Sequence, residues 1–148
     1  MGLVSQMAPS NGQIEPDTER TGIVLVDHGS RRDASNRMLD EVAAAFVRQS
    51  KWRIVEPAHM EIAEPSIATA FGRCVARGAT LVVVFPYLLS PGRHWKEDIP
   101  RLAAEAAKVH PGVRHLVTEP FGVHPLLMGV IEERIDGALG QRVVPEHG

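Results

Sequence analysis

Cysteine is all but missing from this sequence: Cys74 is the single one in 148 residues. That count excludes an intrachain disulfide and any thiolate-rich zinc or iron–sulfur site built within one chain. Aromatic residues are scarce at 5%, and no apolar run approaches the roughly 20 residues that a membrane helix needs. A basic surplus is missing too. Lys+Arg number 16 against 18 Asp+Glu, a formal net charge of -2, whereas a general nucleic-acid binder carries excess positive charge. What is present is ordinary for a globular protein, 44% hydrophobic and 23% charged, in a length that buries a core without a metal or disulfide.

Residues 1–20 show no sustained apolar period and contain Pro9, Ser10, Asn11, Gly12, Pro16 and Asp17. They read as a flexible N-terminal arm, with Leu3-Val4 too short for a signal-peptide core and Arg20 the lone basic residue, unlike an Arg-rich transit peptide. Residues 140–148 read as a flexible tail. A single domain is expected over 21–139, in the cytoplasm.

Within that span strand and helix signals alternate. Gly22 to Val26 is a short β-branched run, followed by a helical stripe of Leu39, Val42, Ala43 and Phe46 over about 34–48. Ile54 to Met60 reads as a strand despite Pro57, which needs an edge, a bulge or a strand end. Ile67, Ala70, Phe71, Cys74 and Val75 mark a second helix, capped by Ser66 and stopped at Gly78. Leu81 to Phe85, the least polar run, predicts a central strand buried on both faces. Asp98-Ile99-Pro100 is expected to open a third helix, with Pro100 in its first turn. A strand over 113–118 and a helix over about 125–139 follow. The pattern predicts an α/β fold: an open sheet of about four mostly parallel strands with helices on both faces.

Open parallel sheets bind ligands at the carboxyl ends of their strands. There the first strand runs into Asp27-His28-Gly29-Ser30-Arg31-Arg32, the second ends at His59-Met60-Glu61, and the third leads to Ser90-Pro91-Gly92-Arg93-His94-Trp95-Lys96. Imidazole and carboxylate suit a divalent transition metal, and a site with two or three protein ligands leaves positions open for chemistry. The spacing is not a local metal signature, and a histidine at a strand end is more often scaffold than ligand. His59 is open to three readings: ligand, support to a ligand, or structure. His110 suits a helix C-terminal dipole, while His115, His124 and His147 have no spacing argument. Arg31, Arg32, Arg93 and Lys96 are either an ordinary solvated surface or a rim for an anionic ligand. Trp95 could stack on a planar ligand, though packing is the better prior, and Cys74 falls on an apolar stripe and belongs to the core.

The blocks Asp27–Arg32, Val55–Ile67 and Ser90–Pro100, in this order, resemble the CbiX/SirB class II chelatases, in particular the single-domain sirohydrochlorin ferrochelatases of the plant SirB type. The resemblance covers roughly Thr21 to Leu139. It implies insertion of Fe²⁺ or Co²⁺, as substrate, into sirohydrochlorin, on a siroheme or cobalamin route. His28 and His94 match the family's paired active-site histidines, and Glu61 its acidic residue, as catalytic and metal-binding groups. Ser30, Arg31, Arg32 and Arg93 would orient the anionic tetrapyrrole. The resemblance also implies a homodimer. Plant-type members carry a cysteine cluster for an iron–sulfur centre; with Cys74 alone, none is expected here, nor any other tightly bound cofactor. No nucleic-acid or membrane partner is expected. Two other readings stay open: a non-catalytic metal or tetrapyrrole carrier, and a phosphatase-like enzyme using His28 and nearby arginines, which leaves Glu61 and His94 without a role.

Overall fold

Aliphatic residues are prominent in the strand segments, and each strand leads into a helix. The computed structural model describes residues 17–140, apart from the side chains of Arg93 and His94. Eight elements alternate: β1 (Thr21–Asp27), α1 (Asp33–Gln49), β2 (Ile54–His59), α2 (Ile67–Ala76), β3 (Leu81–Pro86), α3 (Arg93–Lys108), β4 (Arg114–Val117) and α4 (Pro125–Gly140). All strand pairs are parallel, in the order β2-β1-β3-β4. This is the expected α/β architecture.

Alternation along β1 divides the core in two. Val24 and Val26 pack with Phe71 and Cys74 of α2 and with Ile99 and Ala103 of α3. Ile23 and Leu25 point the other way, to Leu39 and Ala43 of α1. Helix α2 approaches β1 so closely that a Cβ on Gly22 would stand 2.6 Å from the Cys74 Cβ, so only glycine fits. Cys74 is fully buried, as expected, and burial, followed by the Glu56 carboxylate, pushes its thiol up to about 12. Ser66 caps α2 by accepting the Thr69 N–H at 3.1 Å, and Gly78 leaves the helix at a φ of 102°. Pro57 is tolerated because β2 is an edge strand.

Three expectations need correction. Helix α3 starts at Arg93 rather than Asp98, with extended Gly92 before it and the Lys96 N–H on the Gly92 carbonyl, so Pro100 lies inside the helix. The proline has no N–H to give the Lys96 carbonyl, and both residues border a groove beneath Trp95. Asp17–Arg20 is not free arm: the Arg20 carbonyl accepts N–H groups from Thr80 and Leu81, which ties the segment to the start of β3. Residues 1–16 of the expected arm and 141–148 of the tail lie outside the described residues. Strand β3 is central, yet Val83 and Phe85 are only half-buried, because α4 has no buried residue and does not cover them.

Candidate functional site

In the order β2-β1-β3-β4, the chain moves outward from β1 to β2 and then returns to the other side of β1 with β3. The crevice between the carboxyl ends of β1 and β3 is therefore the topological switch point, where open sheets of this type bind ligands. His28 follows β1 directly, and α3 opens just after β3.

Pairing between β1 and β2 continues past the strands and brings two of the expected residues together. The Met60 N–H donates to the Asp27 carbonyl at 2.8 Å, and the Glu61 N–H to the His28 carbonyl at 3.2 Å. The His28 and Glu61 side chains then meet, Nε2 to Oε1 at 2.8 Å, with 50% and 55% of their surfaces exposed. Gly29 makes this approach possible. Its φ is 97°, and a Cβ there would stand 2.0 Å from the Glu61 carbonyl oxygen.

On the β3 side, the edge of one ring faces the other between His28 and Trp95, with centroids 4.6 Å apart and planes at 73°. Trp95 directly follows His94, so the first turn of α3 sits against the His28 ring. The side chains of His94 and Arg93 lie outside the described residues, and only their backbone in α3 is placed. Trp95 thus packs both on His28 and against the hydrophobic core.

The remaining expected residues separate by role. The Ser30 hydroxyl accepts the Arg32 N–H at 3.0 Å, while Asn36 brackets Ser30 with both amide atoms, taking its N–H at 3.0 Å and donating to its carbonyl at 2.7 Å. Ser30 therefore shapes the loop, and Asn36 locks it. Arg31 and Arg32 are exposed, and Arg31 lines an open cleft with Arg37, Asp40 and Glu64. His59, 2% exposed, holds Asp27 through Nδ1 to Oδ1 at 2.6 Å. This half-buried pair ties β2 to β1 one residue before His28. His110 stacks on Phe71 at 5.7 Å, His115 packs edge-on to the same ring, and His124 Nδ1 accepts the Leu126 N–H; His147 lies outside the described residues.

One feature had no warning in the residue pattern. Ile62, next to Glu61, has a φ of 76°, and the Ala63 N–H donates across it to the Glu61 carbonyl at 2.8 Å. A β-branched residue in this tight positive-φ turn is strained, and the strain sits beside the candidate carboxylate. Among the described residues no cluster of three or more His, Cys, Asp or Glu is placed to hold a metal, and no helix is long and apolar enough to cross a membrane.

Known proteins share this sequence pattern and fold. The CbiX family profile matches residues 22–138. The chloroplastic sirohydrochlorin ferrochelatase of Arabidopsis thaliana is 54% identical over 80% of this chain and 52% of its own length. The sirohydrochlorin cobaltochelatase of Sulfolobus acidocaldarius is 31% identical over 80% of this chain and 92% of its own. Among solved structures, the sirohydrochlorin chelatase SirB of Bacillus subtilis in complex with cobalt superposes with a TM-score of 0.73 at 30% identity, covering 80% of this chain and 50% of that one. The chain thus spans about half the length of the plant relative and nearly all of the archaeal one. With the family profile matched over most of its length and its parallel sheet shared with a solved relative, the chain belongs to the CbiX family.

Proposed function

We propose that this protein inserts a divalent metal, Fe²⁺ or Co²⁺, into sirohydrochlorin, and that His28, Glu61 and His94 hold the ion and move the protons. The observation that carries the proposal is the His28–Glu61 contact of 2.8 Å at the switch point, beside the helix turn that bears His94. Relatives named sirohydrochlorin ferrochelatase and cobaltochelatase, and a related structure with cobalt, support it.

The chemistry follows from the donor types. An ionised carboxylate only accepts hydrogen bonds, so in the contact the proton lies on His28 Nε2. Coordination needs that nitrogen free of its proton. For Nε2 to ligate, its proton moves through solvent to Nδ1, and the His28–Glu61 hydrogen bond is given up. Glu61 is then free to ligate or to accept one of the two pyrrole protons released as the ring takes the metal, the other leaving to solvent. Two imidazoles and one carboxylate leave coordination positions open, and this lets the ion pass to the tetrapyrrole instead of being trapped. Arg31 and Arg32, on the loop that Ser30 shapes, and Arg93 at the start of α3 supply positive charge for a substrate rich in carboxylates.

Two copies of the chain form the working unit in this reading, in line with relatives of about double length. The decisive assay is spectrophotometric metallation of sirohydrochlorin, with product exceeding enzyme; stoichiometric uptake without turnover would instead assign a carrier.

A further inference from the structure

Ile62 combines two features that a folded chain ordinarily avoids. It is the one non-glycine residue with positive φ among those described, at 76°, and its side chain is 59% exposed. A β-branched residue disfavours that backbone region, where asparagine and glycine are at ease. An isoleucine in solvent adds nothing to the core in return. Scattered exposed apolar residues are ordinary, but one held in a strained turn is not.

The turn is fixed on both sides. Before it, the Glu61 N–H is held by the His28 carbonyl; after it, the Ala63 N–H donates back to the Glu61 carbonyl, and the His59 N–H reaches the Pro65 carbonyl at 2.8 Å. The chain from 60 to 65 thus closes a compact loop on the end of β2. Glu61 turns its carboxylate to His28, while Ile62 lines the adjoining open cleft with Arg31 and Arg37. Much of the remaining lining is polar, with Ser30, Asn36 and Asp40.

A tetrapyrrole asks for this combination. Its ring has a broad apolar face, and the carboxylates of sirohydrochlorin lie on the periphery. Such a ring is held by apolar contact next to the groups that serve its inner nitrogens, and by guanidiniums farther out. Neighbouring Cα atoms are about 3.8 Å apart, so a macrocycle placed over Glu61 is wide enough to rest on Ile62 as well.

We propose that Ile62 is a substrate-positioning residue: its side chain supports the face of the macrocycle and sets the inner nitrogens within reach of the Glu61 carboxylate. The inference rests on the metal-insertion reading above and adds the residue that seats the ring. The strained turn has a use in this role, because it keeps an apolar side chain in the cleft instead of the core, directly beside the carboxylate.

Three substitutions separate contact from strain. Ile62→Asn and Ile62→Gly suit the turn but remove the apolar surface, whereas Ile62→Leu keeps it. Ile62→Asn should unfold at a higher urea concentration than wild type. Both Ile62→Asn and Ile62→Gly should nevertheless raise KM for sirohydrochlorin about tenfold. Ile62→Leu should stay near the wild-type KM, and Co²⁺ affinity of the free protein should be unchanged in all three. Wild-type KM values for Ile62→Asn and Ile62→Gly, in an enzyme that turns over, overturn the role of Ile62 alone. A wild type that neither metallates nor binds sirohydrochlorin overturns the metal-insertion reading and this inference together. If the wild type binds without turnover, that reading falls and the same comparison is made on Kd. A direct check uses wild-type protein with ¹³C-labelled isoleucine methyls, the Ile62 signal being identified by its loss in Ile62→Leu. Metal-free sirohydrochlorin should move that signal through its ring current and leave those of buried Ile23 and Ile99 in place. An unmoved Ile62 signal overturns the contact even if Ile62→Asn and Ile62→Gly fail to fold.

Discussion

His28 Nε2 and Glu61 Oε1 stand 2.8 Å apart although 33 positions separate them, because β1 and β2 run parallel and their pairing continues beyond both strand ends. An imidazole and a carboxylate in direct contact, both half exposed, form a unit that can give up its hydrogen bond for a cation. Glu61→Gln keeps the shape and removes the charge. Metallation by this variant should fall about 100-fold, the range expected for loss of a proton-transfer group. Steady-state rates at saturating metal check this, and an unchanged rate would remove Glu61 from the chemistry.

Gly29 is the backbone condition for that contact. Gly29→Ala puts a Cβ against the Glu61 carbonyl at a φ of 97°. The substitution should destabilise the fold by about 3 kcal/mol and lower activity as well, since the loop bearing Glu61 must move. Urea denaturation measures the first effect and metallation the second.

His59 has a different task from His28. It is almost fully buried and its Nδ1 is engaged by Asp27. His59→Ala leaves a cavity and an unpaired carboxylate, and should lower stability by about 3 kcal/mol. Co²⁺ affinity, measured by calorimetry on the folded fraction, should change little. A loss of affinity matching that of His28→Ala would make His59 a ligand.

Cys74 gives a pH signature. Its thiol is raised from 9.0 to about 12, chiefly by burial. Above the lower value the unfolded chain ionises while the folded chain does not, so the unfolded state holds fewer protons. Stability therefore falls as pH rises from about 9 to about 12, by on the order of 2 kcal/mol at about pH 10.5. Cys74→Ala should abolish this component, as read from urea midpoints at neutral and alkaline pH.

Periodicity made the strands, the first two helices and the rim of candidate residues legible, because each element's apolar pattern matched the surface it covers. Ser66 and Gly78 ended α2 as their chemistry predicts. Pro100 misplaced the start of α3, since proline is read most simply as a first-turn residue, and the turn preceding it has no apolar stripe of its own. The strained turn at Ile62 left no trace, because a β-branched residue disfavours positive φ and only the surrounding loop imposes it. Asn36, which locks the loop after His28, was hidden in a helix whose stripe drew attention elsewhere. The apolar residues of α4 were legible as a helix, but composition does not say which surface a helix meets.

Metallation of sirohydrochlorin followed by absorbance, with Fe²⁺ and Co²⁺, tests the central claim most directly when wild type is compared with His28→Ala and His94→Ala. Multiple turnovers by the wild type and near-complete loss in both folded variants are the predicted result. Wild-type rates in either variant would contradict the idea that imidazoles from the ends of β1 and β3 share one metal ion.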